Sequence, residues 1–314
     1  MDNKVICVVG PTACGKTKMG VALAQRFNGE VVSVDSMQLY RGMTIGTAAP
    51  TPDEMEGVPH HMVAVADPAE SWSVARYVRE ADRCVQDILR RGKRPVLVGG
   101  TGLYLDALVR GRDFAAGSQG GEIRRELQAR LSRDGAAALL SELQRIDPEA
   151  AARLHLRDEK RIVRALEVYY ETGETITAHD QKSRQLPPRY DAFRIGLCFR
   201  DRADLRARID RRVDDMVAQG LLQEVEALLQ SGLPRDATAL QAIGYKQFLA
   251  VAEGRATTAE AIDEVKLRSR QYAKRQLTWL RRDEDIHWIL WEKSPDIPAG
   301  IQNATEFLLS AGVC

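Results

Sequence analysis

Short blocks of consecutive apolar residues alternate along the chain with longer stretches in which apolar residues return every three or four positions. Residues 5–9, 31–34, 96–98 and 195–198 are blocks of the first kind, and a further run spans 286–291. A segment apolar on both faces predicts a strand covered on both sides, the pattern of a parallel sheet. Between these blocks, Val74, Val78, Ala81, Val85, Ile88 and Leu89 form a one-faced helical stripe that stops at Arg91-Gly92, with Pro95 just beyond. From 112 to 188 no strand pattern occurs, and helices are predicted over 122–131, 135–144 and 159–172. The long patterns at 202–230 and 258–282 predict helices that cover the sheet and line a cleft. Alternating strands and helices make an α/β core of residues 1–111 and 189–314, interrupted by a helical insertion at 112–188.

Length and charge limit this picture. At 314 residues the chain can bury one large core and carry a substantial insertion. Lys and Arg number 45 against 44 Asp and Glu, so a net charge of +1 gives no general attraction to a polyanion; a nucleic-acid surface must come from local clustering. The cysteines Cys7, Cys14, Cys84, Cys198 and Cys314 are scattered without a CxxC pair, which argues against a zinc site or disulfide framework and fits a reducing cytosol. The first apolar run is too short for a membrane span and carries no cleavage signature, so a cytoplasmic protein is expected.

Chemistry enters at the end of the first strand. Gly10, Pro11, Thr12, Ala13, Cys14, Gly15, Lys16 and Thr17 match G-x-x-x-x-G-K-[ST], and Val21, Ala22, Leu23, Ala24 and Phe27 open a helix behind them. Such a loop curls backbone N–H groups around phosphate oxygens, Lys16 neutralises charge, and the Thr17 hydroxyl can hold Mg²⁺. The expected fold class is therefore α/β, a P-loop NTPase-like parallel sheet flanked by helices, with an all-helical insertion. The motif does not choose its ligand: a nucleoside triphosphate is the default, and a prenyl diphosphate offers the same two bridged phosphates. Asp35 follows the second strand, at the edge where open α/β sheets bind ligands. Two roles are open to it, ordering Mg²⁺ through water or taking a proton from a weakly nucleophilic amine. A second glycine turn, Gly99-Gly100-Thr101-Gly102, either needs glycine geometry for itself or lets substrate approach, with Thr101 bonded to an acceptor base or to Asp35.

Six blocks, GPTACGKT, DSMQLYRGMTIGTAAPT, GVPHHMVAVADP, LVGGTGLYLDAL, KRIVRALEVY and KRQLTWLR, occur in order over nearly the whole chain, which closely resembles the bacterial tRNA dimethylallyltransferase family. The resemblance implies a P-loop core whose channel takes dimethylallyl diphosphate from one end and a flipped adenine from the other. It implies prenylation of N6 of the adenine 3′ of the anticodon, in tRNAs reading codons that begin with U, with release of diphosphate. Residues Gly10 to Thr17 and Arg208 would bind the diphosphate and Thr17 the Mg²⁺. Asp35, Thr101 and Arg212 would be catalytic, as base, transition-state support and a guanidinium on the leaving group, although by pattern alone the charges around Arg212 are a solvated helix face. The anticodon stem-loop would be held by Asp35, Ser36, Met37, Gln38, Thr101, Arg124, Lys160, Arg161, Ile162, Val163, Arg164, Gln241, Ala242, Ile243, Gly244, Tyr245, Lys246, Lys274, Arg275, Gln276, Leu277, Thr278, Trp279, Leu280 and Arg281, with the insertion contacting the tRNA and the protein a monomer. Two departures stand out: Ala49 replaces the usual lysine of GTA-x-P-T, removing one positive charge, and Cys14 replaces the commoner serine.

Two basic stripes support RNA independently of the resemblance. Lys266, Arg268, Arg270, Lys274, Arg275, Arg281 and Arg282 occur in seventeen residues that hold no acid, with Tyr272 and Trp279 on one side. In the insertion, Arg153, Arg157, Arg161 and Arg164 recur at helical spacing opposite Ile162, Leu166 and Tyr169. Each stripe is either a solvated face or a track for phosphates. A nucleotide kinase would share the loop but need an arginine lid and no such stripes, an adenylate prenyltransferase would lack much of the insertion, and an RNA-binding ATPase switch would hydrolyse ATP. His60 and His61 are read as loop residues, because adjacent side chains point apart.

Overall fold

A computed structural model describes residues 3–111 and 121–314, apart from the side chain of Arg184; the loop that the small and glycine-rich composition of residues 115–121 predicts lies almost wholly outside the described residues. β1 (Lys4–Val9), buried beyond its first residue, feeds α1 (Lys16–Arg26), which returns the chain to β2 (Gly29–Val34). A short α2 (Pro52–Met55), started by a Thr51–Glu54 capping box, precedes β3 (His60–His61). Ser73 caps α3 (Val74–Arg90), whose buried face is Tyr77, Val78, Ala81, Val85 and Ile88. β4 (Arg94–Gly99) and α4 (Gly102–Arg110) complete the first half.

Four helices follow, α5 (Glu122–Ile146), α6 (Pro148–Ala152), α7 (Glu159–Thr172) and α8 (Ile176–Gln185). The two helices predicted over 122–131 and 135–144 run on as one element, kinked where Gly135 leaves helical geometry at φ +79°. Residues Arg110–Pro188 form a compact unit around Leu127, Leu139, Leu143, Ile162, Val163 and Leu166. Asp147 accepts from Ala150 N at 3.0 Å and from the Thr177 hydroxyl at 2.7 Å, which caps α6 and ties it to α8.

The chain then returns through β5 (Asp191–Phe199), α9 (Arg202–Ala218), α10 (Leu221–Gln230), a 3₁₀ turn at Ala239–Gln241, α11 (Tyr245–Ala252), α12 (Thr258–Leu280), β6 (His287–Trp291) and α13 (Ile297–Ser310). A left-handed Gly220, at φ +102°, breaks the pattern at 202–230 into α9 and α10. Met1–Val109 and Arg189–Cys314 make the second compact unit. Its sheet has the order β3-β2-β4-β1-β5-β6, every pair parallel. β3 escaped the sequence pattern because it is two residues long and half-buried. From β1 the chain moves to one side of the sheet through α1 and β2, and β5 lies on the other, so ligands are expected beyond the C-terminal end of β1. No helix among the described residues is long and apolar enough to cross a membrane.

Candidate active site

β1 delivers the chain into a tight loop. Gly10 and Gly15 take φ of +148° and +91°, and Ala13 between them is also left-handed at +66°. That conformation costs a non-glycine residue about 1–2 kcal/mol, strain of the kind that binding loops retain. A Cβ on Gly10 would overlap the Leu197 carbonyl of β5. The first turn of α1 has no capping side chain and no acid, which leaves the positive end of its dipole to an anion. The loop is braced from outside. Trp291 Nε1 donates to Cys14 O at 2.9 Å, and the Cys14 thiol, its pKa raised by burial, donates to Pro11 O at 2.9 Å as the commoner serine hydroxyl would.

Gln276 of α12 bridges the two glycine loops. Its Oε1 accepts from Thr12 N at 3.1 Å and its Nε2 donates to Gly100 O at 3.0 Å, with the side chain only 6% exposed. Expected on RNA, Gln276 lines the cavity over the phosphate loop and spends both ends of its amide on holding the two loops together.

A cavity of about 790 Å³ lies over this loop, walled by residues of the α/β unit alone: the phosphate loop, Asp35 to Gln38, the segment from Thr44 to Ala49, Arg208 and Arg212 of α9, and Tyr272 and Arg275 of α12. Lys16 Nζ donates to Pro11 O at 2.7 Å and Arg208 Nε to Ala13 O at 2.8 Å. Desolvation holds the Lys16 pKa below the usual lysine range; Cys14 and Asp35 oppose that shift and Arg212 adds to it. Desolvation likewise lowers Arg212, against Cys14, Asp35 and Glu54, with Arg208 repelling it. Among the described residues neither Lys16 nor Arg212 forms an ion pair with a carboxylate. Partly desolvated cations that repel each other and make no direct ion pair constitute an anion site, because a polyphosphate relieves both costs at once.

The opposite wall is built on the end of β2. Asp35 Oδ1 accepts from Met37 N at 2.9 Å and Gln38 N at 3.3 Å, the turn-forming habit of aspartate. Among the described residues Oδ2 accepts no hydrogen bond from protein. Thr101 N donates to Val34 O at 3.2 Å, and its hydroxyl accepts from Ser36 N at 3.3 Å. Thr101 thus bonds the backbone beside Asp35 rather than its carboxylate. The Gln38 amide is fixed on both sides: Oε1 accepts from Ser33 Oγ at 2.9 Å, and Nε2 donates to Ala48 O at 3.1 Å and Thr47 O at 3.4 Å.

Residues 38–283 match the family described as IPP transferase, and residues 3–64 match that described as isopentenyl transferase. The chain belongs to the IPP transferase family. It is 46% identical over 288 residues to the tRNA dimethylallyltransferase of Geobacillus thermodenitrificans, covering 92% of this chain and 90% of that one. To the enzyme of the same name from Acetivibrio thermocellus it is 40% identical over 313 residues, covering 100% and 99%. Among solved structures it is similar to the tRNA isopentenylpyrophosphate transferase of Bacillus halodurans, with a TM-score of 0.71, 41% identity and coverage of 99% and 97%. It is also similar to a eukaryotic dimethylallyltransferase described as acting on tRNA, with a TM-score of 0.82, 31% identity and coverage of 99% and 79%.

In this IPP transferase the residues expected on tRNA divide by exposure. Lys160, Arg161, Gln241, Lys246, Lys274, Arg275, Thr278 and Arg281 are exposed, and Ile243 partly so. Ile162, Val163, Ala242, Gly244, Tyr245 and Leu280 are buried and Leu277 packs against the main core, although Ala242 also lines the cavity. Trp279 Nε1 donates to Asp106 at 2.9 Å. Both basic stripes are also partly neutralised. Lys266, Arg268 and Arg270 pair with Asp214, Glu264 and Asp210, and Arg124 and Arg164 converge on the fully buried Glu167. Glu264 and Glu167 lie at helical spacing from Arg268 and Arg164 and are visible in the sequence, whereas Asp210 and Asp214 lie on a different helix and Arg124 is 43 residues from Glu167, so those pairings are not.

Proposed function

We propose that the chain is a tRNA dimethylallyltransferase that moves the dimethylallyl group from its diphosphate to N6 of the adenine 3′ of the anticodon. The observation that carries this reading is a single cavity with two kinds of wall: among the described residues, Lys16 and Arg212 make no ion pair on one side, and Asp35 keeps an oxygen free of protein hydrogen bonds on the other. A donor that ends in diphosphate fits the first wall, and an amine that must lose a proton fits the second. The adenine N6 attacks C1 of the prenyl group, the C1–O bond breaks, its electron pair leaves with diphosphate, and the N6 proton passes to Asp35. Lys16, Arg212 and the N-terminus of α1 take up the charge that grows on the leaving group. Thr101 holds the backbone next to Asp35, and so the base, in register.

Mg²⁺ fits this arrangement through the Thr17 hydroxyl, which lines the cavity beside the phosphate loop. When bound it neutralises diphosphate charge. The exposed cations Lys274, Arg275 and Arg281 lie on the helix that also supplies Tyr272 and Gln276, which supports a tRNA track leading to the cavity. Because one chain completes the cavity, the reading is of a monomer working on tRNA in the cytoplasm. The test is to incubate the protein with dimethylallyl diphosphate, Mg²⁺ and unmodified tRNA, digest the RNA and analyse its nucleosides by mass spectrometry. Dimethylallyl-adenosine in place of the adenosine 3′ of the anticodon is expected; hydrolysis of ATP with unmodified RNA would overturn the reading.

A further inference from the structure

Five donors converge on one carboxylate beside the cavity. Glu224 of α10 accepts from Thr44 N at 2.9 Å, the Thr44 hydroxyl at 2.8 Å and Ile45 N at 2.9 Å through Oε2. Through Oε1 it accepts from Gly46 N at 3.1 Å and from the Tyr245 hydroxyl at 2.5 Å. Three successive backbone N–H groups on one carboxylate are charge-assisted bonds, about twice as strong as neutral ones. They join segments 178 to 180 residues apart in sequence.

The held segment forms part of the cavity wall. Thr44 to Ala49 line it together with Gln241, Ala242 and Ile243. The same segment presents the Thr47 and Ala48 carbonyls that fix the Gln38 amide, three residues after Asp35. Gly46 packs so closely on the Tyr245 ring that a Cβ there would overlap it, so the segment cannot slide while Tyr245 keeps its place. Tyr245 is fully buried, and burial together with the Glu224 carboxylate pushes its hydroxyl pKa up, so it remains a donor to that carboxylate. By contrast no hydrogen bond among the described residues runs from Glu224 to the phosphate loop, which Gln276, Arg208 and Trp291 brace.

We propose that Glu224 is a positioning residue for the acceptor wall: by clamping Thr44 to Gly46 it sets the carbonyls that orient Gln38, and through them the place of the incoming base, while leaving the donor site alone. This rests on the proposed function, and the two fail differently.

The test compares wild type, Glu224→Gln and Tyr245→Phe in steady-state transfer, with donor and tRNA varied separately. In Glu224→Gln the new NH₂ meets the row of N–H donors, and kcat/KM for tRNA is expected to fall about 100-fold, the scale of a 1 Å misplacement. The KM for dimethylallyl diphosphate should stay within about twofold, since no ground-state donor contact is lost. Tyr245→Phe keeps the three backbone donors and should fall in between. Amide hydrogen exchange, which does not depend on turnover, should accelerate at residues 44–47 of Glu224→Gln and not at residues 10–17. Donor KM rising in step with the tRNA effect, or exchange quickening equally at both loops, would mean general loosening and would overturn the proposal. Normal kinetics in Glu224→Gln would overturn it as well. A wild type that modifies no tRNA would instead bring down the proposed function.

Discussion

β2 carries a carboxylate near each end, and the two are treated in opposite ways. Glu30, at its start, is 3% exposed and surrounded by hydrogen-bonding partners: Arg91 through two guanidinium nitrogens, Lys93 at 2.7 Å and the His61 ring at 2.8 Å. The Arg91 hydrogen bonds lead in holding its carboxyl well below the usual range, with Lys93 and His61 adding to them against desolvation. Just past the other end, Asp35 spends one oxygen on its own turn and keeps the second free, while Lys16 and Arg212 lack a carboxylate partner among the described residues. The helical unit repeats the first arrangement, with Glu167 held by Arg124 and Arg164, and Glu142 by Arg130. Where the fold supplies its own counter-charge, the charges hold structure together; where it withholds one, a ligand is expected to bring it.

The comparison can be broken from either side. The largest expected effect is at the unbalanced end: Asp35→Asn should reduce turnover by about 10²–10⁴, the range for loss of a general base. Its thermal midpoint and tRNA affinity should hardly move. A variant that turns over normally would remove Asp35 from the chemistry. At the balanced end, Glu30→Ala leaves Arg91, Lys93 and His61 without the carboxylate they share, and should lower stability by less than the loss of a partner in a fully buried pair, because water reaches the cations left behind. Denaturant unfolding should show that loss, with turnover per folded molecule unchanged.

The pH dependence has a definite sign. Because the folded Glu30 pKa is depressed, its contribution is fully present above the unfolded carboxyl value of about 4.3 and is lost as pH falls through the folded one. Glu30→Gln should therefore flatten the acid side of the stability profile, and an unchanged acid limb would show that the cluster is not linked to folding. The smallest effect belongs to an exposed cation, Lys274, which forms no ion pair among the described residues. Lys274→Ala should weaken tRNA binding alike for all sequences and reduce the salt slope by about 1. An unchanged slope would take Lys274 off the RNA track.

The balanced and unbalanced ends were not equally legible in the sequence. The phosphate loop and Asp35 could be read because their signals are local: a strand, a glycine pattern and a helix for the one, the end of an apolar run for the other. The parallel core was legible for the same reason, since strands buried on both faces leave continuous apolar runs. What escaped were partnerships across long separations. Glu224 reads as one more charge on an amphipathic helix, and nothing near it announces Thr44. Gln276 lies in a basic block and reads as an RNA contact, although its amide joins Thr12 to Gly100. Ile162 and Val163 sit beside Arg161 and Arg164 in a basic stripe, yet a helix turns adjacent residues to different faces, and these two face the core.

The central claim is that the cations around the phosphate loop hold a leaving diphosphate, so that carbon and not phosphorus is transferred. Dimethylallyl diphosphate labelled with radioactive carbon in the prenyl group and radioactive phosphorus in the diphosphate tests it directly, in the presence of Mg²⁺ and unmodified tRNA. The account predicts carbon label in the RNA and phosphorus label released as free diphosphate in equal amount, with both lost in Asp35→Asn. Phosphorus label in the RNA, or no carbon label there while added ATP is hydrolysed, would contradict it.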